Sequence, residues 1–287
     1  MGRIEDWWAA GERVPLDLRG AERAIFVRRL GDGAPATLLH GFPSSSHDWA
    51  KLAPSLAMRH AVLMPDFLGF GDSDKPQDHD YSLSEQADLV EALWEREGVS
   101  DATLIAHDYG VSVAQELLAR RADGALAVEL AGVHLLNGGL YPDVHRPQPV
   151  QEALLDPEQG PQISAAMTPE LVAQALRPTF ADDHYDPDDS ADIAASMARR
   201  DGHLISYRLI RYMVDRRAND ARWVGALEKT DVPLRFVWGM LDPISGAHMA
   251  ERIRERVPGA PFVALEDVGH WPPLEAPERV AAALLAG

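Results

Sequence analysis

The chain of 287 residues has no cysteine, which removes disulfide frameworks, thiolate nucleophiles, iron–sulfur clusters and cysteine zinc sites together. The fold must stand on its hydrophobic core alone. Positive charge is scarce as well: 27 Lys+Arg face 45 Asp+Glu, a net charge of -18. Such a surface repels phosphate backbones and anionic headgroups, and no basic patch offsets it, so neither nucleic acid nor a membrane surface is an expected partner. No apolar run is long enough to span a bilayer. The first residues carry Glu5 and Asp6 where a signal peptide would be basic, and Asp6 replaces the Ser or Thr that would favour myristoylation of Gly2. A cytoplasmic protein is the expectation.

What is present is alternation. Short apolar runs at 14–18, 24–30, 36–39, 61–64, 102–106, 132–136, 234–238 and 262–265 are separated by longer amphipathic stretches. That order predicts eight strands in a mainly parallel sheet flanked by helices. Ser82 and Glu85 have the spacing of a capping box, and Gly98 ends the helix that they open. A second helix is predicted from Val111 to Ala122. Between residues 139 and 222 the strand signal stops and the pattern becomes helical and rich in Pro and acids. It starts just after one strand and ends just before the next, so it reads as a helical cap inserted into a core of residues 1–138 and 223–287. Asp182, Asp183, Asp186, Asp188 and Asp189 lack the Gly and terminal Glu of a calcium loop and read as a solvated loop, with no metal expected.

Four segments carry chemistry. Leu104, Ile105, Ala106, His107, Asp108, Tyr109 and Gly110 have the form of a strand, a sharp turn and a helix, the shape of a nucleophile elbow with Asp108 at its tip. Ala106 stands where a Gly is common. No Gly-x-Ser-x-Gly occurs anywhere in the chain. A carboxylate in this place would attack an sp³ carbon and form an alkyl ester that water must then cleave; an Asp here could also serve only as a helix N-cap. His40, Gly41, Phe42 and Pro43 follow a strand and would set the Phe42 amide beside that of Tyr109, two donors for one oxygen. Asp242 ends the strand that resumes after the cap, and His270 lies in the loop after the last strand. The order nucleophile, acid, base makes Asp108, Asp242 and His270 an Asp-His-Asp triad, in which His270 deprotonates water and Asp242 orients the ring.

With these motifs the sequence resembles the α/β-hydrolase superfamily on the branch of epoxide hydrolases and haloalkane dehalogenases, and within it the group of the mesoderm-specific transcript protein and its bacterial relatives. The resemblance runs through His40 to Trp49, Asp66 to Gly71 with Ser73 to Pro76, His107 to Gly110, Asn137 to Gly139, His145 to Pro147, Arg222 to Leu227 and Leu241 to Pro243. Asp66 to Gly71 reads as a structural turn at the sheet edge. The resemblance implies an α/β-hydrolase fold and a cofactor-independent enzyme that acts on a small apolar molecule. Epoxide hydrolases carry two cap tyrosines that hold the epoxide oxygen. Tyr212 matches the distance of one of them to Val232 and Pro233; Tyr207 resembles the family's Tyr-Arg pairing but lies too early, and Tyr141 and Tyr185 are candidates for the second. Haloalkane dehalogenases usually place a halide-binding Trp after the nucleophile, where this chain has Tyr109; fluoroacetate-type dehalogenases place Arg there. The expectation is therefore an epoxide hydrolase, with haloalkane dehalogenase as the alternative and a catalytically silent binding module as the third reading.

Overall fold

Alternating strand residues divide the core between two faces. In β5 (Asp101–His107), Ala102, Leu104 and Ala106 join one hydrophobic cluster and Ile105 joins the other, as the two-residue repeat of a strand requires. The computed structural model describes residues 3–286. Met1 and Gly2, on which the readings of the leader and of myristoylation rest, lie outside that range.

All eight expected strands form one sheet: β1 (Glu12–Leu18), β2 (Ala21–Leu30), β3 (Ala34–Leu39), β4 (His60–Pro65), β5, β6 (Glu129–Leu136), β7 (Leu234–Gly239) and β8 (Phe262–Leu265). Their order is β1-β2-β4-β3-β5-β6-β7-β8. β2 pairs antiparallel with β1 and β4, and the remaining pairs are parallel. β5 thus lies in the middle of the sheet, with both faces covered, and its carboxyl end faces the loops that follow β3, β6, β7 and β8. In open α/β sheets ligands bind at that edge. Among the described residues, no helix is long and apolar enough to cross a membrane.

Ser82 accepts from the Glu85 amide, and Gly98 closes the Leu83–Glu97 helix in a left-handed conformation. The reciprocal arm expected of a capping box is replaced: the Glu85 carboxylate sits 2.7 Å from the His79 ring. Between β6 and β7 the described chain is helical, from Pro149–Leu154 to Asp220–Lys229. Here the acidic cluster departs only in part from the solvated loop expected of it: Asp182, Asp183 and Asp188 are exposed, whereas Asp186 and Asp189 are drawn into ion pairs. Arg3 pairs with Asp186, Asp189 and Asp192, and Lys51 also reaches Asp186 and Asp189. Asp189 is buried, and cations from far along the chain supply what the local sequence does not. Asp66 accepts from the amides of Ser46 and Asp72 and so ties two turns together at the sheet edge.

Candidate active site

The elbow forms because β5 ends directly in the Tyr109–Ala122 helix, and the residue between them has no helical conformation available to it. Asp108 has φ 47° and ψ -105°, a region that costs a non-glycine residue of order 1–3 kcal/mol and tends to persist where function maintains it. The helix comes very close to β3: a Cβ added at Gly110 would lie 2.3 Å from the Leu39 carbonyl oxygen. The small residue this packing requires is therefore Gly110, past the elbow, rather than the Ala106 that stands before it. The Gly110 amide donates to the His40 carbonyl at 3.0 Å, and the Asp108 amide donates to the Asn137 carbonyl at 2.8 Å.

The strain presents the Asp108 side chain, 3% exposed, to two groups. Its Oδ1 accepts from the Phe42 amide at 2.9 Å. Its Oδ2 lies 3.5 Å from Nε2 of His270. The other ring nitrogen of His270, Nδ1, is 2.8 Å from Oδ2 of Asp242. Asp242 is held in turn by the Ile244 amide, the Ser245 hydroxyl and the Asn137 amide nitrogen at 2.7, 2.7 and 2.9 Å. Burial works against both carboxylates, but the His270 hydrogen bonds and charge hold them well below the usual carboxylate range. For His270 burial alone would favour the neutral ring, yet Asp242 and Asp108 outweigh it and push its pKa up to about 10. The imidazole is therefore protonated in the resting protein and shared between two anions.

The loop that carries His270 is clamped from several sides. Its amide donates to the Thr179 carbonyl at 2.8 Å. Its carbonyl accepts from Nε2 of His107 at 2.7 Å, so the proton of the neutral His107 ring is assigned to Nε2. Glu275 receives the amides of Ala181, Gly269 and Trp271 at 2.8–2.9 Å. His40 fixes the Phe42 turn likewise: Nδ1 lies 2.8 Å from the Gly41 carbonyl, and Nε2 accepts from the Phe67 amide at 3.0 Å. Burial keeps both rings neutral, at about 3 for His40 and about 4 for His107. Sequence motifs contained His40, His107 and Asn137 without giving them a task. For Glu275 the sequence carries no signal, because its partners are backbone amides.

Phe42, Asp108 and His270 form the floor of a cavity of about 640 Å³ including its mouth, roofed by Leu154, Met167, Val172 and Leu176 of the helical segment. The roof is apolar. Gln148 and Gln151 add amides near it, and Trp271 joins its wall. The Trp271 indole N–H is already donated to Thr179 Oγ1 at 2.8 Å. None of the four candidate tyrosines is among the residues that line this cavity. Tyr207 is drawn toward its neighbour Arg208, whose guanidinium lies over its ring. Tyr141 packs under Arg252, since the chain after β6 turns toward the helix Ala247–Arg256. Tyr212 is buried beside the site, with its ring 5.8 Å from Phe42 and 5.0 Å from Tyr109. Its hydroxyl has no hydrogen-bond partner and feels the Asp108 charge. The Tyr109 ring packs on Phe67 and Phe70, leaving its backbone at the first position of the helix, where amides lack intrahelical partners. Tyr185 bonds Ser190 and stacks edge-on to Phe180.

Residues 37–277 match the family described as alpha/beta hydrolase fold. The mesoderm-specific transcript homolog protein of Homo sapiens is 39% identical over 258 residues, which cover 85% of this chain and 76% of that protein. LipZ of Mycobacterium tuberculosis is 36% identical over 287 residues, 99% of this chain and 97% of that one. Among solved structures, haloalkane dehalogenase DbeA from Bradyrhizobium elkani superposes with a TM-score of 0.79 at 21% identity, covering 96% of each chain. Epoxide hydrolase CorEH superposes with a TM-score of 0.73 at 23% identity, covering 96% of this chain and 97% of that one. At those identities the structures speak for a shared fold.

Proposed function

Since this chain belongs to the α/β-hydrolase fold family, we propose that it hydrolyses epoxides to vicinal diols through an alkyl ester on Asp108. The observation that carries the reading is the Asp108 carboxylate itself. It stands at the tip of the elbow with Oδ1 fixed by the Phe42 amide and Oδ2 directed at His270. A nucleophile that is already an anion needs no base to activate it.

Oδ2 attacks a ring carbon, the carbon–oxygen bond breaks, and the leaving oxygen takes a proton. The donor assigned to this step is the Tyr212 hydroxyl, which is buried, has no hydrogen-bond partner and feels the Asp108 charge, and a hydroxyl donor suits an epoxide oxygen. A halide held by a Trp has no counterpart here, since the Trp271 indole is committed to Thr179 and the place after the nucleophile is Tyr109. Esterification removes the Asp108 charge, and the His270 pKa falls from about 10 because one of the two carboxylates that raised it has gone. His270 then gives up its proton, which restores the Tyr212 hydroxyl, and becomes a base for water. The hydroxide adds to the ester carbonyl, and the amides of Phe42 and Tyr109 receive the oxyanion; loss of one such donor costs on the order of 10²–10³ in rate. On collapse the His270 imidazolium protonates the departing diol oxygen, one water oxygen stays on Asp108, and the new carboxylic acid gives its proton back to His270. The helical segment over the site, residues 139–222, would act as the cap that excludes bulk water.

The test is a substrate panel. Wild-type protein should convert styrene oxide to its diol without releasing halide from 1-bromobutane or 1-chlorobutane. Halide release without diol formation would replace the reading by a dehalogenase, and ligand binding with turnover of neither would leave a binding module.

A further inference from the structure

Beside the nucleophile lies a second cluster of buried polar groups that this mechanism does not use. Arg216 is 2% exposed. Its Nε donates to Ser112 Oγ at 2.9 Å, but Nη1 and Nη2 have no hydrogen-bond partner, and no carboxylate pairs with it among the described residues. His145 Nε2 is also buried and unpartnered. The two side chains meet over Gly139: a Cβ there would fall 2.0 Å from Arg216 Nη1 and 2.9 Å from the His145 ring. Arg216 Cζ stands 4.9 Å from the centre of the Tyr212 ring.

The cluster is close to the chemistry. Ser112 lies four residues after Asp108, one turn along the same helix face. Burial and the Arg216 charge keep His145 neutral, at about 3, while its ring also feels Asp108, Asp242 and His270. Phe42 belongs to both places, since it lines the cavity and packs 5.8 Å from Tyr212.

A guanidinium buried without an anion is a costly arrangement, and breaking a buried pair leaves the same kind of cost. Two free Nη groups form a planar fork that matches a carboxylate, and a proton on His145 Nε2 would add a third donor. We infer that Arg216 and His145 form a carboxylate subsite, so that the electrophile opened by Asp108 is an epoxide bearing an ionised carboxyl group next to the ring. Tyr212, whose ring packs against both the Arg216 guanidinium and Phe42, then meets the epoxide oxygen, and the apolar roof takes the tail. The substrate class is a 2,3-epoxy acid with a hydrophobic substituent. This rests on the Asp108 reading for turnover but not for binding.

The experiment uses 3-phenylglycidate and its neutral counterpart 3-phenylglycidamide as substrates, and cinnamate and cinnamamide as ligands that cannot alkylate the protein. Wild type should prefer glycidate over glycidamide by about 10- to 100-fold in kcat/KM, the range of a hydrogen bond to a charged group. Arg216→Gln should bring that ratio near unity, and Arg216→Lys should restore part of it. In calorimetry, cinnamate should bind wild type more tightly than cinnamamide, and Arg216→Gln should abolish the difference. Equal treatment of acid and amide by the wild type overturns the subsite even if the variants fail to fold. Styrene oxide turnover with no acid preference would sink the subsite alone; an Arg216-dependent cinnamate preference with no epoxide turnover would sink the Asp108 reading alone.

Discussion

His270 lies between two carboxylates, 2.8 Å from Asp242 and 3.5 Å from Asp108, and this gives a signed pH dependence. Its pKa rises from 6.5 unfolded to about 10 folded, so between those values the folded protein holds a proton that the unfolded chain has lost. Stability gained from this group is complete below about pH 6.5 and declines as pH rises toward 10. Thermal melts should show that decline, and Asp108→Asn should flatten it; equal slopes would mean that the two groups do not share the proton. Asn137 is one of the residues whose role the sequence motifs left blank. It accepts from the Gly239 amide at 2.6 Å and donates to Asp242 and to the Gly239 carbonyl. Asn137→Ala should therefore cost about 1–3 kcal/mol in urea unfolding, as expected for a buried amide left without its partner, and should slow ester hydrolysis more than ester formation.

At the scale of elements, the elbow depends on how closely the Tyr109–Ala122 helix approaches β3. Gly110→Ala would put a methyl group 2.3 Å from the Leu39 carbonyl; the helix start must shift, at about 1–3 kcal/mol for overpacking, and Asp108 shifts with it. Calorimetric destabilisation together with loss of activity is the expected pair, whereas wild-type kinetics would show that the elbow tolerates the shift. Strands, elbow and the meeting of Asp108, Asp242 and His270 were legible because each rests on local features: apolar runs of strand length, a turn with small residues, and loops that directly follow strands. The walls of the site were not. Arg3 and Lys51 meet acids more than 130 residues away, Glu275 serves backbone amides, and Tyr141 and Tyr207 have neighbours that spacing alone does not supply. Tyrosines placed by a family's spacing inherit a position in the chain, while their direction depends on packing that differs between caps.

For the whole molecule, the helical segment is joined to the core both by polar contacts and by a shared apolar cluster. Trp271, next to His270, packs with Val172, Phe180 and Met197 of that segment, so movement of the segment is coupled to the base. Arg199 and Arg200 reach back to Asp72, and Lys51 meets the buried Asp189. Lys51→Ala should hasten limited proteolysis within residues 177–200, with little change for the sheet; unchanged cleavage would assign the anchoring to the apolar cluster alone. The acidic excess of the chain takes part in these contacts, and two of its members, Asp108 and Asp242, flank His270. One measurement on the intact protein tests the central claim most directly. His270→Ala, incubated with styrene oxide and analysed by intact mass, should gain the mass of one epoxide, localised to Asp108 by peptide mapping, while the wild type under the same conditions forms diol and returns to its original mass. A variant that forms diol at the wild-type rate, or that stays unmodified while the wild type turns over, would contradict the ester mechanism.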